Sequence, residues 1–249
     1  MSEFDLSAGL DGVEDVEERD SLGGRLLESS IQDFRIEVAY LRKSKGGAMG
    51  MHVVMENGDN MKLTDTQYIT SGDKKGNKPY FEKDGKKYPM PGLQHFDVLA
   101  QLVADKKVSQ LEQKKAQLKL YDSEQQKEVP TEVITFPELR NQRIKVGVLK
   151  LVDNKQTQVN GKWVDTNEKR EFNEVSKYFD AETGATNTEL KAKSEPEFIE
   201  KWKAKFEGNT IDKYKEVANA PASGASAGNS NPLAGGSVND AADDMFDDD

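Results

Sequence analysis

Residues 34–70 read FRIEVAYLRKSKGGAMGMHVVMENGDNMKLTDTQYIT, and the alternation in this stretch decides the fold class. Phe34, Ile36, Val38 and Tyr40 fall on one side of an extended chain, and Arg35, Glu37 and Ala39 on the other, which is the period of a half-buried strand. Gly46-Gly47 marks a turn. Residues 49–55 repeat the pattern with Met51, Val53 and Met55 on one face, Asn57-Gly58-Asp59 is a hairpin signal, and residues 61–70 form a third strand. Three antiparallel strands joined by short turns form a meander. Phe34, Ile36, Val38 and Val53 are expected in its core, with Tyr40 beside them, while Arg35 and Glu37 face outward.

Downstream lies a long basic loop, residues 71–92, SGDKKGNKPYFEKDGKKYPMPG. Asp84-Gly85 within it suits a type I′ turn, so a small hairpin is expected, ended by Pro89 and Pro91. Residues 93–104 place Phe96, Leu99, Ala100, Leu102 and Val103 at helical spacing. Between 109 and 130, Ser109 and Glu112 suit a capping box, but alternation at 116–121 favours a strand. Residues 143–152 read as a strand with a bulge at Gly147, Asn160-Gly161 as a turn, and 171–179 as the returning strand. Thr186 with Glu189, and Ser194 with Glu197, open two helices. Phe198, Ile199, Trp202 and Phe206 share one face of the second, and Gly208 stops it. The order of three meander strands, a helix, then more strands and a closing helix fits that of the OB-fold, a five-stranded Greek-key barrel. The expected class is mainly β with a few helices: an OB-fold barrel with insertions and disordered acidic termini.

The chain of 249 residues carries a formal net charge of −10, and the charge is partitioned. Residues 1–24 hold −7 and residues 219–249 hold −6, leaving +3 on the body between them and +4 within residues 40–90. Four regions follow: an acidic arm at 1–28, a folded domain at 29–215, an Ala/Gly/Ser/Asn linker at 216–239, and an acidic tip at 240–249. The tip, DAADDMFDDD, joins Met245 and Phe246 to Asp243, Asp244, Asp247, Asp248 and Asp249, the composition of a short docking peptide. The absence of cysteine excludes disulfides, thiolate metal sites and cysteine nucleophiles, and only two histidines, His52 and His95, are present. No apolar run is long enough to span a membrane, and the acidic N-terminus is unlike a signal peptide, so a soluble cytoplasmic protein is expected.

No phosphate-binding loop, dinucleotide fingerprint or zinc-protease motif occurs, so no enzyme, cofactor or metal is expected. His52 and His95 fall on different elements and read as structural or surface residues. The informative pattern is cations interleaved with aromatic rings, which single-stranded nucleic acid requires: cations for its backbone and flat faces for its bases. The candidates are Arg42, Lys43, Lys45, Lys62 and Tyr68 on the meander. The loop adds Lys74, Lys75, Lys78, Tyr80, Phe81, Lys86, Lys87 and Tyr88. Trp163 either stacks a base or closes the end of the barrel, and Trp202 holds the last helix to the body. A different reading stays open, in which the fold is a non-catalytic protein-interaction scaffold and its acidic arms are solubilising.

Four segments carry a family resemblance: residues 80–99 (YFEKDGKKYPMPGLQHFDVL), 119–131 (KLYDSEQQKEVPT), 177–188 (KYFDAETGATNT) and 198–208 (FIEKWKAKFEG). They resemble the loop-and-helix, mid-domain and closing-helix segments of bacteriophage single-stranded DNA-binding proteins. The likeness spans most of residues 30–215. The resemblance implies an OB-fold that coats transient single-stranded DNA in phage DNA replication, recombination and repair. It implies no reaction. The acidic tip resembles tails that recruit replication and recombination proteins, although Phe246 is followed here by three aspartates, where several such tails end in the aromatic. From the charge partition, the acidic tip is also expected to compete with DNA for the basic surface.

Overall fold

A computed structural model describes residues 26–122, 125–159, 162–218 and 220–221. The acidic arm up to residue 25, most of the linker, the tip carrying Asp243 to Asp249, and the Asn160-Gly161 turn lie outside the described residues.

The meander forms as the alternation dictates: β1 (Ser30–Lys43), β2 (Met49–Asn57) and β3 (Lys62–Tyr68) are sequential antiparallel neighbours. A separate two-stranded hairpin follows, β4 (Tyr80–Lys83) and β5 (Lys86–Pro89), turned through Asp84 and Gly85 at φ 53° and 71°. Positive φ at both central residues is the type I′ geometry that the Asp-Gly pair favours. Helix α1 (Pro91–Ala104) begins with Pro at its first position and buries Phe96, Leu99 and Ala100. Then come the hairpin β6 (Lys114–Asp122) with β7 (Lys127–Thr135), and the long hairpin β8 (Arg143–Val159) with β9 (Lys162–Phe179). Two short helices, α2 (Asn187–Ala192) and α3 (Phe198–Phe206), and strand β10 (Thr210–Asp212) finish the described fold.

The fold is mainly β, with one large sheet and three α-helices among the described residues. β1 is its hub. Its first part, Ser30 to Arg35, pairs with β8, and its last part, at Tyr40 and Leu41, pairs with β7. The loop after β7 spans the change of partner: Phe136 N donates to the Ala39 carbonyl and Asn141 N to the Ile36 carbonyl. Phe34, Ile36, Met51, Val53 and Met55 from the meander meet Phe96 and Leu99 of α1 and Ile144, Val146 and Val148 of β8 in the main core. Leu149 and Leu151 lie on the opposite face of β8 from Ile144, Val146 and Val148 and join Phe179 and Trp202 in a second cluster. The bulge expected at Gly147 falls instead on β9, where Ser176 is the extra residue between the Gly147–Lys177 and Val148–Val175 pairs. Gly147 lies under α3, and a Cβ there would sit 2.9 Å from the Trp202 ring.

A buried polar clip ties β3 to β9 across the core. The Tyr178 hydroxyl donates to Asp65 Oδ2 at 2.5 Å, and His95 Nε2 of α1 lies 2.6 Å from the same oxygen. Asp65 is 4% exposed and Tyr178 1%, so the hydroxyl depends on the carboxylate for a partner, and the carboxylate on Tyr178 and His95. His95 is therefore structural, as the sequence suggests.

Two sequence expectations need correction. Ser194 and Glu197 form no capping box: α3 begins at Phe198, with Glu197 itself at the N-cap and no side-chain cap hydrogen bond. The strands expected at 143–152 and 171–179 run on to Val159 and back from Lys162, making an arm that extends beyond the core.

Candidate nucleic-acid interface

The outer face of the meander is set by one bulge. Ile36 pairs with Met55 and Val38 with Val54, so Glu37 has no partner and every residue after it changes face. Ala39 and Leu41 take the core side, opposite Val53 and Met51, whereas Tyr40 is turned to the outer side opposite His52. The expectation that Val38 and Tyr40 continue the core row of Phe34 and Ile36 is thus overturned. Tyr40 is buried, but against His52: the rings stack at 4.9 Å with planes 8° apart.

Two cross-strand rows make up this outer face. Tyr40, His52 and Thr66 form one, with Thr66 Oγ1 2.9 Å from His52 Nδ1. Arg42, Gly50 and Tyr68 form the next. Gly50 leaves the shallow point of the surface: a side chain there would meet the His52 ring at 3.3 Å and the Tyr68 ring at 3.5 Å. Burial, aided by the Arg42 charge and opposed by Asp65, lowers the His52 pKa to about 4, so the ring is neutral at physiological pH. Burial also raises the Tyr40 pKa above its usual value. The surface therefore presents neutral rings with an exposed guanidinium at their edge.

The basic loop is held against the end of this face. Asp73 N donates to the Gly46 carbonyl at 3.0 Å, Met49 N donates to Thr70 Oγ1 at 2.8 Å, and Lys43 pairs with Asp73 at 3.2 Å. Gly47, at φ 85°, leaves room for the Asp73 carboxylate; a Cβ there would lie 2.0 Å from it. Residues 73–75 make one 3-10 turn that exposes Lys74 and Lys75. These contacts set the β1–β2 turn, with Lys43 and Lys45, beside the loop that carries Lys74, Lys75 and Lys78. The β4–β5 hairpin then projects from the loop. On one face Phe81 and Tyr88 stack at 5.6 Å, with Tyr88 40% exposed. On the other, Lys87 and Lys78 lie 4.7 and 5.8 Å from the Tyr80 ring centre. Lys86 is exposed at the hairpin turn.

Two expected members are placed elsewhere. Lys62 is at the far end of β3 from Tyr68, 3.0 Å from Glu37 and 3.9 Å from Glu56. It borders an open groove of about 540 Å³ whose cations, Arg35 and Arg143, are offset by Asp33, Glu37 and Glu56. Burial opposes the change, but hydrogen bonds with Glu56 and Lys62 hold Glu37 below its ordinary pKa; Glu56 is raised, chiefly by its bond to Glu37. Such a balanced cluster offers a polyanion little. Trp163 is 54% exposed at the end of the β8–β9 arm, ten residues along β8 from the Val148 position that pairs with Ser30. That places it beyond the opposite end of β1 from Lys43.

The sequence reading placed Tyr40 on the core side and did not foresee its stacking on His52. The extra residue at Glu37 carries no local mark, since Val38 and Ala39 suit either face. No family model matches the chain, and no curated protein matches it in sequence. Among the described residues, no group of three or more His, Cys, Asp or Glu side chains is arranged to hold a metal ion.

Proposed function

We propose that this protein binds single-stranded DNA without sequence preference, along the outer face of the meander and the basic loop held against it. The observation that carries the reading is the convergence at one end of the sheet of the Tyr40–His52–Tyr68 face, Arg42, and the Lys74–Lys78 turn fixed to Gly46 and Gly47. Base stacking on such rings contributes about 1–3 kcal/mol per base, and phosphate neutralisation adds a salt-dependent term. Neither term reads sequence. The fold beneath is an OB-type barrel in this reading, with strand order β1-β2-β3-β9-β8. Supporting it are α1 between the third and fourth principal strands and the Tyr178–Asp65 bond from β9 to β3. Coating of transient strands in phage replication, recombination and repair, and recruitment of partners by the acidic tip, follow from the resemblance of the segments quoted above. The protein acts by binding and catalyses no reaction in this account.

Charge reversal tests the site. In the variant carrying Glu at Lys74, Lys75, Lys86 and Lys87, affinity for an oligo-dT falls at least tenfold at moderate salt. Its log Kd against log salt slope becomes shallower than that of the native protein. An unchanged affinity and slope would overturn the assignment of the interface, and would favour a scaffold whose arms are solubilising.

A further inference from the structure

Strand β6 is hydrogen-bonded along one edge only, to β7; among the described residues its other edge has no partner strand. Nine residues of open edge present a row of backbone N–H and C=O groups, which sheets ordinarily cover or interrupt. β6 contains neither Pro nor Gly, and its ladder with β7 runs without a register shift.

The sequence of this edge, KKAQLKLYD, is complementary to itself when reversed about Leu118. Laid antiparallel with Leu118 opposite Leu118, a second copy brings Ala116 opposite Leu120 and Lys114 opposite Asp122. Directly opposed residues share a face and interact. One face then holds a Leu–Leu pair flanked by two Ala–Leu pairs, with an opposite-charge pair at each end. On the other face Lys115 meets the Tyr121 ring and Lys119 meets Gln117. No like charges are opposed. Centring the pair one residue earlier sets Lys115 against Lys119, and centring it one residue later sets Lys119 against its own copy. Moving the centre by one residue shifts the register by two, so the same faces still meet and the charges decide between the centres. Leu118 is thus the centre that matches both charge and polarity. Within one chain Lys114 pairs with Glu112 and Lys115 with Glu132, but these are exposed ion pairs that exchange at little cost.

We propose that β6 is a homodimerisation edge: two copies join their β6 strands antiparallel about a two-fold axis through Leu118, continuing the sheet from one protomer to its partner. The occupant of the edge is a second copy of this chain. β7 joins the other side of this hairpin to β1 at Tyr40 and Leu41, so the dimer sets two copies of the outer meander face on one continuous sheet. The proposal rests on the edge alone and survives if the DNA reading fails.

The test is sedimentation equilibrium of the full chain across the micromolar range. The native protein has twice the monomer mass. Leu118→Lys and Leu118→Glu each place like charges on the axis and sediment as monomers, whereas an equimolar mixture of the two regains the dimer mass. Leu118→Cys guards against misfolding of those variants. The chain has no other cysteine, and opposed residues of an antiparallel pair are spaced about 4.5–5.5 Å apart, within disulfide range. Mild oxidation then links Leu118→Cys protomers, while Gln117→Cys, which faces Lys119, stays unlinked. A native chain that is monomeric throughout would overturn the proposal, as would a dimer indifferent to Leu118→Lys, or cross-linking through residue 117 as fast as through 118.

Discussion

His52 is a neutral ring fixed between Tyr40, Thr66 and the dip at Gly50, and its titration reports on that packing. Its pKa of about 4, set chiefly by burial, lies below the ordinary 6.5. Between those values the unfolded chain binds more protons than the folded one, so stability rises with pH through that window and is lost as pH falls toward 4. The full effect is about 3 kcal/mol by linkage. His52→Phe, which keeps a ring but removes the titration, flattens the pH dependence of the urea midpoint between pH 7 and 4.5; parallel curves for the two proteins would show that His52 is not buried as described. Gly147→Ala acts on the other face, where the new methyl meets the Trp202 ring at 2.9 Å. It lowers stability by about 1–3 kcal/mol, read from thermal unfolding. Trp202 as a core residue was legible from helical spacing. The face of Tyr40 was not, because a bulge is decided by the partner strands, here by β1 leaving β8 for β7, and not by residues 37–39 themselves.

At the scale of elements, the meander, the Asp-Gly hairpin, α1 and the capped start of α2 all follow from local rules: period two, turn chemistry, period 3.6, and a Thr–Glu capping box. What depends on long-range side-chain contacts left no periodic trace. The Asp65 clip joins residues 113 positions apart. Tyr178→Phe removes one buried hydrogen bond to the Asp65 carboxyl and lowers stability by about 1–3 kcal/mol in urea unfolding; an unchanged midpoint would mean that the clip is not formed. The C-terminal segment is a second case. After β10, Asn154 accepts from Lys215 N at 2.9 Å and donates to its carbonyl at 2.7 Å, and Asn167 treats Val217 the same way at 2.8 and 3.1 Å. Two amide side chains thus take over from the backbone ladder. They explain why the β8–β9 arm outlasts its apolar alternation: its polar residues hold a strap and not a core. Replacing both asparagines with Ala releases the strap, so that amide hydrogen exchange at 213–217 rises while β8 stays protected.

For the whole molecule the governing fact is the separation of charge, with a mildly basic body between acidic terminal segments. Composition alone made that partition legible, but not where the cations gather. The fold gathers those of the β1–β2 turn and the basic loop and leaves Lys62 and Trp163 apart. Deleting residues 240–249 removes six aspartates. If the tip competes for the basic end, the truncated chain binds single-stranded DNA more tightly at low salt, and the difference shrinks as salt rises. Equal affinity would leave the tip no role in competition. The central claim is tested most directly by fluorescence anisotropy of the full chain with labelled oligo-dT and a matched duplex, titrated across salt. The account predicts tight binding to the single strand, weak binding to the duplex, and loss of affinity as salt rises; no binding to oligo-dT at low salt, or equal binding to both forms, would contradict it.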